Sequence, residues 1–259
     1  MAEPRNLASE NSAPETGTIL AVVTGASRGI GAGIASAASD AGAIVATCNR
    51  GASTAPHQLT ADLSDPAAWA TFADWYNELV DSVQPAEIVM VHNAATITPI
   101  GFAGEVDPDA YRANVLLNSA APQVLGERVV ATARRTGIPT VLGLLSSGTA
   151  HNPWAGWTSY GAAKAAVNWW VQLLGLEQAE RDHVVRAFSV APGVVATDMQ
   201  AEIRASDPDA FPDVDRFQSM HDDGTLSSPE AVGATIWRIA RASWWDNGAN
   251  LDVRNLPEH

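Results

Sequence analysis

The chain has 259 residues, 46% of them hydrophobic, with one cysteine and 15 basic against 29 acidic side chains for a formal charge of −14. A chain this long and this apolar can bury a substantial core, so it is not disordered. Its carboxylate excess repels phosphate backbones and anionic lipid, which argues against nucleic-acid partners and against a membrane surface. Cys48 alone allows neither an internal disulfide nor a thiolate metal site, and the six histidines show no metal-ligand spacing, so no metal is expected. No apolar stretch is long enough to span a bilayer and the first residues lack a secretory pattern, so a soluble, cytoplasmic protein is predicted.

Residues 1–17 hold Ala, Glu, Asn, Ser and Pro without an apolar period and predict a flexible tail; residues 18–259 predict one domain. Ile19–Thr24 is a continuous apolar run of strand length that leads into a glycine-rich turn. A helix over 30–41 follows, stopped by Gly42, and then a strand over 44–48. Next come a helix over 65–83 with Pro66 in its first turn, a strand at Glu87–His92 and a long helix over 109–136. A strand at Thr140–Leu145, a helix over 159–179 and a strand over 184–190 continue the alternation. Such alternation predicts an α/β fold with a parallel sheet covered on both faces. Residues 198–228 break the pattern. Their many Asp and Pro residues, with Met199, Phe211, Phe217 and Met220 among them, predict an irregular substrate loop.

The turn after the first strand reads Thr24-Gly25-Ala26-Ser27-Arg28-Gly29-Ile30-Gly31. Glycines there let the backbone approach a pyrophosphate, whose charge meets the N-terminus of the helix that follows. NAD-binding units place an acid near the end of the second strand to hold the ribose 2′-hydroxyl. Here that place holds Asn49 and Arg50. An arginine pairs with a 2′-phosphate that an acid would repel, and Arg28 inside the turn points the same way. The preference is for NADP.

Tyr160 and Lys164 stand four apart on a predicted helix, hence on one face. A phenol with a pKa near 10 becomes a useful acid–base group at neutral pH only beside a cation. Fourteen of the fifteen basic residues are arginine and Lys164 is the single lysine, so general basicity does not explain it. Thirteen residues before Tyr160 lies Ser147, at the end of an apolar strand, where its hydroxyl can meet the oxygen on which charge develops; Ser146 is the competing choice. No serine sits in a Gly-x-Ser-x-Gly elbow, so a serine hydrolase is disfavoured, and His92, His151 and His183 are expected to be structural.

Together these residues resemble the short-chain dehydrogenase/reductase family over nearly all of residues 18–253. The 24–31 turn is similar to the family's cofactor motif and Tyr160-x-x-x-Lys164 to its active-site motif. Asp62-Leu63 resembles the pair that contacts adenine, and His92-Asn93-Ala94-Ala95 resembles the Asn-Asn-Ala-Gly strand end, departing at its first and last positions. Asn114 matches the catalytic asparagine, and Pro192-Gly193-Val194-Val195-Ala196-Thr197 the segment against nicotinamide and phosphates. The family's Ser–Tyr spacing selects Ser147. Residues 197–199, the loop after them and 248–253 look most like the sepiapterin reductase and benzil reductase group.

The resemblance implies a Rossmann-type doubly wound sheet in a single domain, with NADPH across the carboxyl ends of the strands. Tyr160 would protonate a carbonyl oxygen, Lys164 would lower the tyrosine pKa and hold the ribose, Ser147 would orient the carbonyl, and Asn114 would hold a relay water. Trp154 and Trp157, with Met199 opposite, predict a bulky aromatic ketone or diketone as the small-molecule substrate; the loop acids would repel anions. Trp169 beside Trp170 cannot share one helix face with it, which predicts a homodimer or homotetramer built on that helix. An NAD-linked alcohol dehydrogenase and a non-catalytic dinucleotide sensor are the competing readings. Arg50 disfavours the first and the complete catalytic set the second.

Overall fold

In the computed structural model, which describes residues 17–51, 55–181 and 184–257, the apolar runs become the interior of a seven-stranded sheet. Its strands are β1 (Ile19–Thr24), β2 (Ile44–Asn49), β3 (His57–Thr60), β4 (Glu87–His92), β5 (Thr140–Leu145), β6 (Val185–Ala191) and β7 (Ala249–Asp252). All pair in parallel in the order β3-β2-β1-β4-β5-β6-β7. The helices are α1 (Gly29–Asp40), α2 (Ala67–Val83), α3 (Pro108–Val115), α4 (Ala121–Thr136), α5 (Thr158–Ala179), α6 (Asp198–Arg204), α7 (Val214–Asp222) and α8 (Pro229–Arg241). This is the doubly wound, Rossmann-type arrangement. The strand order reverses between β1 and β4, which opens a crevice at their carboxyl ends.

Two cores hold the sheet. On one face Phe72 and Tyr76 of α2, Leu125 and Val129 of α4 and Val167 and Val171 of α5 pack on Leu20, Ile88, Met90 and Leu142. On the other, Ile34 of α1 and Val232 and Ile236 of α8 pack on Val23, Val91 and Phe188. Burial on both faces is why β1, β4 and β5 are continuous apolar runs. No helix among the described residues is long and apolar enough to cross a membrane.

Four expectations need correction or restriction. Residues 1–16 of the predicted tail, and His183, lie outside the described residues. The helix predicted over 109–136 is divided: one π-turn, Leu116–Ala120, joins α3 to α4. Pro122 has no N–H to donate and its ring crowds the carbonyl four residues back, so the helix widens and the Ala121 N–H donates to the Leu116 carbonyl. Strands β3 and β7 carry no apolar run because they are half-exposed sheet edges.

The last correction is the segment 198–228, which is not irregular. It folds into α6 and α7, with Thr197 accepting from the Gln200 N–H as the cap of α6. A parallel bridge between Val195 and Ser227 closes its base. Phe211, Val214 and Phe217 then pack on Trp157, Tyr160 and Ile97 as a third cluster above the sheet.

Candidate active site

The turn between β1 and α1 is braced from two sides. Thr24 Oγ1 accepts from the N–H groups of Asn93 and Ala94, both at 3.1 Å, and the Asn93 amide donates to the carbonyls of Thr24 (3.1 Å) and Gly25 (2.9 Å). From β2, Asn49 Oδ1 accepts from the Ala26 N–H at 2.6 Å. Asn49 is 4% exposed and its acceptor supports the turn, while its Nδ2 has no hydrogen-bond partner among the described residues. Gly25 has φ +66°, and a Cβ at Gly31 would run into the Gly25 carbonyl and the Asn93 amide. Only glycine lets α1 start this close to β1.

Arg28, at the N-cap of α1, makes no side-chain cap, which leaves the first-turn amides for an anion. Ser27, Arg28, Gly29 and Ile30 line a cavity of about 490 Å³ together with Asn49, Arg50, Asp62 and Leu63 at one end and Asn93, Ala94 and Thr197 at the other. This cradle fits a dinucleotide: glycine backbone, free helix amides and an elongated cleft at the switch point. Asp62 accepts from the Ser64 N–H and hydroxyl at 2.9 and 2.7 Å. Against the effect of partial burial, those bonds and the Arg50 charge hold its carboxyl below the usual range. Arg28 Nε lies 3.2 Å from Asp198 with both side chains largely exposed, so the pair is weak and open to exchange.

A second cavity of about 400 Å³ continues from the first, sharing Ile30, Ile97, Thr197 and Met199 with it, and Pro192, Gly193 and Val195 line its wall. Ser147 and Tyr160 both line it, with the Ser147 side chain close enough to lower the pKa of the Tyr160 phenol, and Ser147 Oγ accepts from the Thr149 N–H at 3.3 Å. Ser146 Oγ has no hydrogen-bond partner among the described residues, so the contact with Tyr160 belongs to Ser147. Burial pushes the Tyr160 phenol up to about 12, against the effect of the Ser147 side chain, which lowers it.

Lys164 Nζ lies 5.6 Å from the Tyr160 ring centroid and donates to the Leu145 carbonyl at 2.8 Å. Burial pulls its pKa down to about 8. The side chain of Asn114 is not brought to this pair. It is fully buried, donates to the carbonyls of Thr96 (3.3 Å) and Thr98 (2.9 Å) and accepts from Asn118 at 2.9 Å, holding the segment after β4. His92, at the end of β4, is buried with its pKa down to about 3, first through loss of solvent and then through the Lys164 charge. His151 hydrogen-bonds Asn168 at 3.0 Å.

Aromatic rings wall the second cavity. Trp157 stacks on Phe211 at 4.7 Å and 11°, meets Tyr160 edge-on at 6.0 Å and lies 6.0 Å from Trp154. Trp154, Trp157, Met199, Phe217 and Met220 line the space, whereas Phe211 is fully buried behind Trp157 and touches no occupant. Among the described residues no Asp or Glu lines this cavity, so the loop acids are not part of its wall. Arg216 and Arg254 are, and neither was singled out in the sequence. The i,i+4 spacing of Arg216 and Met220 on α7 is the signal that puts Arg216 on the face of Met220.

The family model for short chain dehydrogenases matches residues 20–208. The chain belongs to the short-chain dehydrogenase/reductase family. Among relatives of this short-chain dehydrogenase/reductase, "Benzil reductase ((S)-benzoin forming)" of Bacillus subtilis is 31% identical over 242 residues, covering 92% of this chain and 99% of the relative. The protein of the same name from Bacillus cereus is 29% identical over 181 residues, 69% of this chain and 73% of the relative. The crystal structure of the KRED1-Pglu enzyme superposes with a TM-score of 0.77 at 28% identity, covering 90% of this chain and all of that one. The chain is therefore an oxidoreductase acting on CH–OH or C=O groups with a nicotinamide dinucleotide.

Proposed function

We propose that the protein is an NADPH-dependent carbonyl reductase for a bulky aromatic ketone or diketone, with Tyr160 as the proton donor. The observation that carries this is the Ser147–Tyr160 hydroxyl pair on the floor of an aromatic cavity that runs into the phosphate cradle. Benzil is such a diketone, and two relatives bear its name. Bound NADPH supplies the hydride. Tyr160 gives its proton to the carbonyl oxygen while Ser147 orients that oxygen with a second hydrogen bond. The Lys164 ammonium favours the phenolate left behind and holds the ribose. Asn114, with its side chain committed to Thr96 and Thr98, remains the residue assigned to hold the relay water.

Selection of NADPH rests on Arg50 and Arg28 at the adenine end and on the absence of an acid at position 49. Arg28, whose present partner Asp198 is exposed, and Arg50 would hold a 2′-phosphate by charge-assisted bonds. Trp169, Leu173 and Leu176, exposed along α5, support assembly into a dimer or tetramer. Loss of NADPH absorbance across aryl diketones, aryl ketones, pterins and sugar ketones tests the reading. Preference for an aryl diketone is expected, and preference for a small hydrophilic carbonyl would contradict it.

A further inference from the structure

The chain carries 29 acids against 15 bases, yet the charged side chains lining the cavity above Tyr160 are Arg216 and Arg254 alone. None of the described acids of the covering segment lines it. Asp207 accepts from the Asp209 N–H in its own turn and Asp198 faces Arg28 over the dinucleotide cradle. Arg254 is already answered: its fork holds Asp252 with Nε–Oδ1 at 2.9 Å and Nη2–Oδ2 at 2.5 Å. Arg216 is not. Among the described residues no carboxylate lies within ion-pair distance of it, and its guanidinium lies over the Trp154 ring at 5.0 Å.

A guanidinium laid on an indole keeps its plane and presents its N–H fork sideways, the geometry that takes a carboxylate by two parallel bonds. Arg216 is itself exposed, so its guanidinium stands at the solvent-facing rim of these apolar walls and offers one unpaired cation there. We infer that the reductase takes aromatic carbonyl compounds bearing a carboxylate, received by Arg216, at the end of the ring system remote from the reacting carbonyl. This rests on the carbonyl-reductase reading above and narrows its substrate class. Two rings stand in the run of contacts between Tyr160 and Arg216: Tyr160 meets Trp157 at 6.0 Å, Trp157 meets Trp154 at 6.0 Å, and the Arg216 guanidinium lies over Trp154 at 5.0 Å. A carboxylate attached directly to the carbonyl carbon would lie at the Ser147–Tyr160 floor, away from that guanidinium.

The test compares a benzil bearing one para-carboxylate with its methyl ester, in the wild-type protein and in Arg216→Gln. The ester keeps the shape and removes the charge. The wild-type protein is expected to favour the acid by about tenfold in kcat/KM, carried by KM, and Arg216→Gln to erase most of that ratio. An acid-to-ester ratio that is the same in both proteins would overturn the inference while turnover of the diketones left the reductase reading intact. Where neither compound is reduced, the reductase reading fails. Binding to the NADP-loaded protein, read by tryptophan quenching, then decides for Arg216: tighter acid binding that Arg216→Gln abolishes supports the inference, and equal binding of acid and ester overturns it.

Discussion

Lys164 is 3% exposed, with its ammonium on the Leu145 carbonyl and its pKa drawn down to about 8 by burial. The charged form is the one that favours the Tyr160 phenolate, so kcat for reduction is expected to hold below pH 8 and to fall as pH rises through it. Lys164→Arg carries charge past that pH but neither fits nor rotates as ammonium does, and should lower kcat at least about a hundredfold, within the range of acid–base contributions. A pH–rate profile of both proteins checks the pair of statements. His92 titrates in the opposite window. Its folded pKa lies near 3 against 6.5 for the free side chain, so the unfolded chain binds the extra proton between those values. Stability is therefore full above about pH 6.5 and falls by up to roughly 1.4 kcal/mol per pH unit below it. Urea midpoints between pH 7 and 5 should show this decline, and His92→Asn should flatten it.

At the scale of elements, the proposed preference for NADPH rests on the end of β2. Arg50→Asp places an acid at the end of the cradle proposed for the adenine ribose, and should reverse a preference for NADPH over NADH of at least about tenfold in kcat/KM, or 1.4 kcal/mol. Kinetics with both cofactors measure it; an unchanged ratio would remove Arg50 from the account. The elements themselves were legible where burial is two-sided. β1, β4 and β5 read directly as apolar runs of the right length, and Tyr160 and Lys164 stood out because four residues make one helix face and the chain has one lysine. β3 and β7 were hidden because edge strands need no apolar run. The covering segment reads as loop in the sequence because α6 and α7 have 7 and 9 residues, too short for a periodic signal among so many Asp and Pro residues. The direction of the Asn114 side chain, and the arginines facing the cavity, depend on contacts between distant segments that spacing does not encode.

At the scale of the molecule, α5 joins the active site to the surface. Tyr160 and Lys164 face inward from it, Trp170 packs against Gly126 of α4, and Trp169 is left 63% exposed beside Leu173 and Leu176. Such an unpartnered apolar stripe on a protein of charge −14 is expected to be covered by a second copy. Trp169→Glu should convert the assembly to monomers by light scattering at micromolar concentration, and a wild-type monomer under those conditions would count against the interface. The assignment of the proton donor is tested most directly by Tyr160→Phe, with NADPH binding and aryl-diketone turnover measured on the same preparation. The account predicts that binding is retained while turnover falls at least about a thousandfold, within the range for a lost general acid. Wild-type turnover in Tyr160→Phe would contradict it.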